Sequence, residues 1–157
     1  MNADSVHLAT PADSEFIAQL LLEAFAEIKS VYTHGGFDAT VLDPARIAAR
    51  MQEGPVWMVR VDDRIAGTVA AVIKPTGLYM RGMAVHPDFR GKRIGNQLLD
   101  AIEHYAHEHH CARIFLSTAP YLHSAIRLYE KRGFVRIDDP PYTLFGTPLF
   151  SMEKKLL

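Results

Sequence analysis

A basic turn that contains glycine is the part of this sequence best suited to binding chemistry. It follows a predicted buried strand and reads Arg90-Gly91-Lys92-Arg93-Ile94-Gly95-Asn96. The amide groups at the start of a helix lack intrahelical partners and carry partial positive charge, so such a turn can wrap a phosphate with main-chain donors. Arg90, Lys92 and Arg93 add three formal charges beside them. A diphosphate is therefore the natural ligand of this turn.

The residues of the turn also fit other kinds of loop. An isolated cluster of arginine, glycine and lysine is also typical of a solvated basic turn. A Walker-type loop needs a glycine, four residues and then Gly-Lys-Ser/Thr, and the sequence contains neither that run nor the dinucleotide-binding fingerprint. A nucleotide loop of these two kinds is thus excluded, while a solvated turn stays open on the turn residues alone.

The elements that must position the turn follow from hydrophobic periodicity. Residues 56–61 and 65–73 are β-branched runs, and a third run over 78–85 follows the turn at Pro75-Thr76-Gly77, which predicts three consecutive antiparallel strands. After the turn, the period changes to 3.6, which predicts a helix with one apolar face: Ile94, Leu98, Leu99, Ile102, Tyr105 and Ala106. The turn is therefore expected to connect a buried strand to a long helix.

The N-terminal third is predicted to form a short strand and two helices. The strand covers residues 6–9, and the first helix carries a predicted buried stripe of Phe16, Ile17, Leu20, Leu21, Ala24, Phe25 and Ile28. Asp43-Pro44 begins the second helix, which runs to about Met51. Residues 29–42 between them are predicted to be an irregular loop that could form one wall of a site.

The C-terminal part completes a mixed sheet. Residues 113–117 are predicted to form a strand, 122–132 a helix, and 134–137 with 149–154 a final hairpin. A strand-helix-strand unit after a meander implies that 113–117 runs parallel to 78–85. The predicted fold class is α/β of the mixed α+β kind, with a central, mostly antiparallel sheet of six to seven strands flanked by four helices.

Composition narrows the classes of protein to consider. A chain of 157 residues with 48% hydrophobic content predicts one domain over residues 1–157. A formal net charge of −1 predicts no general attraction to nucleic acid or to an anionic membrane. Cys111 is the only cysteine, which excludes an intrachain disulfide and fits a reducing compartment, and no secretory leader is evident. A cytoplasmic location is therefore expected.

The turn resembles the coenzyme A diphosphate motif of the Gcn5-related N-acetyltransferase (GNAT) family. That motif has arginine or glutamine, two residues, glycine, one residue, and glycine or alanine, and the preceding Met83-Ala84-Val85-His86-Pro87 matches as well. The resemblance implies a GNAT fold in which the strand before the turn splays from its parallel neighbour. It also implies that Met83, Ala84 and Val85 hold the pantetheine arm. Arg93 stands where the family usually has the first motif glycine, and right-handed helical angles are expected for it.

A second segment also resembles the family. Residues 125–134 carry alanine, two residues, Leu-Tyr and a closing Gly-Phe, and by this resemblance Tyr129 donates a proton to the departing thiolate. A donor with a pKa of about 10 suits a thiol whose pKa is about 8.5. Helical spacing alone would instead make Tyr129 a core aromatic. Leu122 replaces the asparagine that relatives often have seven residues before the tyrosine, so one polar contact to the coenzyme is missing.

Together the motifs predict an acetyl-CoA-dependent N-acetyltransferase that acts on a primary amine, either a small molecule or a peptide, by direct attack in a ternary complex. Neutralising a lysine-like amine costs about 4 to 5 kcal/mol at neutral pH, so some group must take its proton. Ser117 stands where one branch of the family has a glutamate base, and a water chain, Tyr79, His34 or His123 stays open for this role. Asp138 and Asp139 could attract a cationic amine or simply form a solvated turn.

Two further expectations complete the hypothesis. The histidines around Cys111 suit the negative end of a helix dipole, so no metal is expected. A homodimer would follow family habit. A non-catalytic acetyl-CoA sensor or partner-binding module with the same fold is the alternative function.

Overall fold

The computed structural model describes residues 6–137 and 142–156. Within them, the helices are α1 (Ser14–Phe25), α2 (His34–Thr40), α3 (Pro44–Glu53), α4 (Ile94–Glu108) and α5 (His123–Lys131). The strands are β1 (Val6–Leu8), β2 (Val56–Val61), β3 (Arg64–Lys74), β4 (Gly77–Val85), β5 (Arg113–Thr118), β6 (Val135–Arg136), β7 (Tyr142–Leu144) and β8 (Thr147–Lys155). Short 3₁₀ turns cover Pro11–Asp13, Ala26–Val31 and Pro87–Phe89.

One sheet organises these elements. Its strand order is β1-β2-β3-β4-β5-β8-β6, and β7 forms a hairpin with the first part of β8. Only the β4–β5 pair is parallel among the strand pairs described. The predicted mixed, mostly antiparallel sheet and the parallel pairing of its central strands are therefore confirmed.

Helices cover both faces of the sheet. On one face, α4 buries Leu98, Leu99 and Ile102 against strand residues such as Val59 and Ile114. On the other face, α1 and α3 form a second cluster around Ile17, Leu21 and Ile47. The predicted face of α4 is confirmed, because five of its six members are buried and Tyr105 packs against the cluster.

The predicted stripe of the first helix contains one error. Phe16 is 61% exposed, whereas its neighbour Ile17 is 2% exposed. Adjacent residues of a helix point about 100° apart, so a stripe centred on Ile17, Leu21 and Ala24 leaves Phe16 on the solvent side.

The prediction of an irregular loop over residues 29–42 is wrong. A 3₁₀ turn and α2 occupy most of this segment, which is why five α-helices are described instead of four. Thr33 caps α2, because its Oγ1 accepts a hydrogen bond from the Gly36 amide at 2.9 Å. A Cβ on Gly36 would lie only 2.2 Å from Thr147 Oγ1. Two glycines give this segment a poor helix propensity, so close packing against the β7–β8 hairpin stabilises α2 instead.

The final hairpin was predicted with the correct partners but an incomplete path. β6 does pair with β8 in the antiparallel direction, through Val135 opposite Glu153 and Arg136 opposite Met152. β8 also begins earlier than predicted, at Thr147, and makes a tight hairpin with β7. Asp138 and Asp139, the acids considered for attracting an amine, lie outside the described residues.

The feature of the fold that matters most for a site is the path of β4. It pairs with β5 only at Leu78 opposite Ile114 and Tyr79 opposite Phe115, and the two strands then diverge. On its other edge the register with β3 shifts, so that Gly82 and Met83 together face one residue of β3. This is a β-bulge, and Gly82 accommodates it with a φ of +69°. The bulge bends β4 away from β5 and opens the sheet at its centre.

Candidate active site

A cavity of about 550 Å³ lies where β4 leaves β5. Its walls come from the end of β4, the turn that leads into α4, the start of α5 and the end of α1. The predicted coenzyme residues that line it are Met83, Ala84, Val85, Arg90, Gly91, Arg93, Ile94, Gly95 and Asn96. Lys92 is exposed but is not a lining residue. The structure thus brings nearly the whole predicted set around one opening.

The N-terminus of α4 opens directly onto this cavity. No side chain caps the helix at Arg93, and the first intrahelical bond runs from the Gln97 amide to the Arg93 carbonyl at 3.1 Å. The amides of the first turn therefore have no helical partner and face a space lined by Gly95 and Asn96. Gly91 has a φ of +78° and open space where a Cβ would be. Such a cradle suits the two phosphates of a coenzyme diphosphate.

The expectation that Arg93 uses right-handed helical angles is wrong. Its φ is +64° and its ψ is 20°, which is the left-handed region. A side chain in this region costs about 1 to 2 kcal/mol relative to the right-handed form, which explains why glycine suits this position. The turn needs the left-handed angles to direct the α4 amides towards the cavity.

Arg90, another cation of the turn, forms an ion pair across the cavity. Arg90 Nη1 lies 2.6 Å from Glu27 Oε1, and both residues line the cavity. The adjacent His86 Nε2 lies 2.6 Å from Glu23 Oε1, and His86 Nδ1 accepts a hydrogen bond from the Asp88 amide at 3.1 Å. These contacts tie the turn to α1 and to the 3₁₀ turn that follows it.

Gly95 brings the two walls of the cavity together. A Cβ at this position would lie 2.6 Å from Leu128 Cδ2 and 3.7 Å from Met83 Cε. The second motif glycine therefore permits α4 to pack closely on α5 at the point where β4 bends.

Tyr129 lies behind the cavity wall. It is 4% exposed, its ring packs against Phe134 with centroids 5.7 Å apart, and it is not among the lining residues, although its neighbours Ala125 and Leu128 are. Burial raises the pKa of Tyr129 above its usual value, and the nearby Tyr32 raises that pKa further. The role of Tyr129 as a proton donor stays a prediction.

The sequence reasoning missed one tyrosine that lines the cavity and a second that packs on it. Tyr121 lines it, and Tyr32 packs on Tyr121 with ring centroids 6.4 Å apart. Burial raises the pKa of Tyr32 to about 12. Tyr32 also lines a second cavity of about 500 Å³, between the Ala26–Val31 turn and α2. No spacing signal marked Tyr32, because it lies in the segment that was predicted to be an irregular loop.

The residues considered as bases lie in different places. His123 lines the first cavity and His34 lines the second. Tyr79 lines neither of these two cavities, and its ring packs against Phe115 with centroids 5.3 Å apart. The structure therefore does not bring the three candidates together.

The histidines near the end of α4 have local partners. His104 Nε2 lies 3.3 Å from Glu108 Oε2, and the His109 ring stacks on Tyr105 at 4.1 Å. Over residues 6–137 and 142–156, no three side chains of the His, Cys, Asp or Glu types are placed so that they could share a metal ion. In the same part of the chain, no helix has the length and apolar character needed to cross a membrane.

Comparison with known sequences shows similarity between this chain and several acetyltransferases. The chain is 34% identical to the IAA acetyltransferase of Azospirillum brasilense over 103 residues, which is 63% of this chain and 66% of that protein. It is 30% identical to the probable N-acetyltransferase camello of Xenopus laevis over 95 residues, 56% of this chain and 42% of that protein. The chain thus spans less than two thirds of the length of these curated relatives.

Solved structures share the fold over almost the whole chain. The PaiA N-acetyltransferase of Thermoplasma acidophilum, in complex with coenzyme A, has a TM-score of 0.82 at 16% identity and covers 97% of this chain and 98% of its own. An acetyltransferase structure of Salmonella typhimurium with its cofactor acetyl-CoA has a TM-score of 0.77 at 19% identity, over 99% and 95%.

The family model supports the same relation independently of individual relatives. The model of the acetyltransferase (GNAT) family matches residues 15–134. That span includes the diverging strands, the uncapped start of α4 and the Tyr129 helix. The splayed sheet, the glycine turn and the sequence match agree, and the chain belongs to the acetyltransferase (GNAT) family.

Proposed function

We propose that this protein transfers the acetyl group of acetyl-CoA to a primary amine, carried by a small molecule or a peptide, by direct attack in a ternary complex. The observation that carries the proposal is the uncapped N-terminus of α4, which opens into a cavity that reaches the gap between β4 and β5. The diphosphate of the coenzyme needs a helix start of this kind, and the extended arm that carries the thioester needs the adjoining gap in the sheet.

The diphosphate is assigned to the turn before α4. The free amides of the first helical turn supply donors, and the positive end of the helix dipole favours an anion there. Arg90 and Arg93 line the same space and can add charge-assisted hydrogen bonds. Lys92 is exposed beside them and would act through its longer-range field.

The pantetheine arm and the thioester are assigned to the gap in the sheet. β4 has no β5 partner beyond Tyr79. The β5-facing edge of Met83, Ala84 and Val85 is therefore not covered by a neighbouring strand. Main-chain groups on such an edge can pair with an extended amide-containing arm, as an added strand would. An amide directed at the thioester carbonyl would also stabilise the negative charge that develops there.

In the proposed reaction, a neutral amine attacks the thioester carbon, the carbon–sulfur bond breaks, a proton goes to the departing thiolate, and the nitrogen of the new amide releases one proton to water, from which the donor regains its own. Tyr129 is the donor we assign, because it lies one residue beyond the wall residue Leu128 and its raised pKa keeps it protonated. Holding both substrates in one cavity supplies most of the expected rate gain through proximity.

A coenzyme-binding sensor or partner-binding module is the second candidate. The Arg90–Glu27 ion pair and the burial of Tyr129 favour it, since both keep charged or reactive groups away from a ligand. The two functions share the cradle and differ only in turnover.

The test combines binding with turnover. Calorimetry should show association of the folded protein with acetyl-CoA, and release of free thiol should require an added amine from a panel of amino acids, peptides and polyamines. Tight binding with no thiol release for any amine would favour the sensor. The absence of any heat of association would end the proposal.

A further inference from the structure

Two arginines lie together on the face of β4 that is turned away from α4. Arg81 comes from β4 and Arg50 from α3, which packs on the α1 side of the sheet. The Arg81 guanidinium is paired with Glu53, and its side chain is 21% exposed. Tyr79 lies two residues before Arg81 on the same face of the strand, with its ring against Phe115.

The charge of this pair is not balanced within the described part of the chain. Glu53 serves Arg81, and no ion pair joins Arg50 to any carboxylate of residues 6–137 or 142–156. The Nε of Arg81 is buried and lacks a hydrogen-bond partner there. The pKa of Arg50 is lowered to about 10, first by burial and then by the positive charge of Arg81. A half-buried cation without a partner destabilises the free protein.

The arginine pair borders the point where the acetyl group is expected. Arg50 Nη1 lies 2.7 Å from the position that a Cβ on Gly82 would take, so it lies directly over the bulge of β4. The next residue, Met83, lines the coenzyme cavity. Pairing of β4 with β5 has already ended at Tyr79, so Arg81 lies at the opening of the gap. The two guanidiniums therefore lie on the opposite face of β4 from α4, one residue away from the cavity residue Met83.

We propose that the amine acceptor carries a carboxylate, which Arg50 and Arg81 bind while its amine enters the gap beside Met83. This proposal rests on the acetyl transfer proposed above. A guanidinium offers a planar fork of donors that matches a carboxylate in bidentate fashion, and Arg50, which no ion pair joins to a carboxylate of the described residues, supplies such a fork. The same excess of positive charge repels polyamines and other acceptors with several cationic groups.

The first experiment compares matched acceptors. Free amino acids and their carboxamides are supplied with acetyl-CoA, and thiol release is measured at equal amine protonation. We expect the carboxylate form to have a kcat/KM at least about tenfold higher than its amide, the range of a charge-assisted hydrogen-bonded pair. Equal rates, or a preference for polyamines, would overturn this proposal and leave the acetyl transfer intact.

The second experiment changes the arginine. Arg50→Met keeps much of the side-chain volume, and we expect it to raise the KM for the carboxylate acceptor about tenfold or more while the KM for its amide and for acetyl-CoA stays nearly unchanged. Arg46→Met is the matched control, because Arg46 lies one turn earlier on α3 and is already paired with Asp38 and Asp43. An unchanged preference for the carboxylate in Arg50→Met would overturn the assignment.

Thermal unfolding separates binding from a structural role. Removing a half-buried cation without a partner should leave the Tm of Arg50→Met equal to or above that of the parent, whereas an arginine kept for stability would lower it. A lower Tm together with an unchanged carboxylate preference would count against a binding role. If no amine of any charge is acetylated, the underlying transfer fails, and this proposal fails with it.

Discussion

The two arginine sites of this protein differ in how they hold their charge. Around the start of α4, Arg90 and Arg93 are exposed neighbours in the sequence, and main-chain amides provide the fixed part of the site. On the other face of β4, Arg50 and Arg81 come from separate elements and are half-buried, and of the two only Arg81 is paired with a carboxylate among the described residues. The first site is thus a local turn with added charge, and the second is a tertiary arrangement that costs stability.

For the proposed reaction, this difference suggests separate roles: the α4 turn binds the coenzyme, which is the same in every cycle, and the Arg50–Arg81 pair selects the acceptor. Exposed charges are screened by salt and contribute modestly, so the amides of α4 can bind the constant diphosphate without strict side-chain requirements. Half-buried guanidiniums interact strongly and, in the proposed reaction, would discriminate between acceptors, because a wrong partner leaves them uncompensated. We therefore expect changes on the α4 side to alter coenzyme affinity and changes on the α3 side to alter acceptor choice.

The largest expected effect comes from changing the proposed proton donor. If Tyr129 protonates the thiolate, Tyr129→Phe should lower kcat about 100-fold or more, the usual contribution of a positioned general acid. The dissociation constant for acetyl-CoA should stay nearly unchanged, because the substitution removes one hydroxyl and leaves the residues that line the coenzyme cavity in place. Steady-state thiol release and calorimetry measure the two quantities.

Tyr105→Phe is the control for this change. Tyr105 also packs in the core, with its ring 5.4 Å from Trp57, but it lies on the part of α4 away from the cavity. Its loss of a hydroxyl should leave kcat unaltered. Unchanged turnover in Tyr129→Phe would make this tyrosine a core residue only, and the proton donor would have to be sought elsewhere.

A smaller effect is expected from reversing the charge of the turn. Arg90→Glu with Lys92→Glu should weaken acetyl-CoA binding about tenfold at low salt, and the difference should shrink as ionic strength rises. Acceptor preference at saturating acetyl-CoA should not change, since these side chains lie on the α4 side.

Lys131→Glu with Lys155→Glu provides the same net change at exposed sites away from the turn. Equal weakening by this control would mean that net charge, and not the turn, governs coenzyme affinity. A loss of carboxylate preference in the turn variant would contradict the assignment of coenzyme affinity to one arginine site and acceptor choice to the other.

The smallest effect concerns the strained position of the turn. Arg93→Gly should raise the free energy of unfolding by about 1 kcal/mol, because glycine adopts the left-handed angles of Arg93 without penalty. It should also weaken acetyl-CoA binding a few-fold by removing one guanidinium from the cavity. Urea unfolding and calorimetry would report these opposite changes, and a destabilised glycine variant would contradict the assigned strain.

Sequence reasoning predicted those features correctly for which the residue pattern of consecutive segments was sufficient. The antiparallel meander, the parallel β4–β5 pair and the buried face of α4 were predicted from period and turn residues and are confirmed. Sequence reasoning failed where contacts with other parts of the chain decide the local backbone conformation. α2 forms although its glycines disfavour a helix, because the β7–β8 hairpin packs against it. Arg93 adopts left-handed angles because the path of the turn requires them.

The sequence by itself determined the family and the cradle, since the spacing of glycines and cations over a few consecutive residues specifies a turn and a helix start. Only the tertiary structure placed Arg50 beside Arg81 and Tyr32 beside Tyr121, because these residues are far apart along the chain. Contacts of this kind depend on packing in three dimensions, which no local pattern of residues encodes.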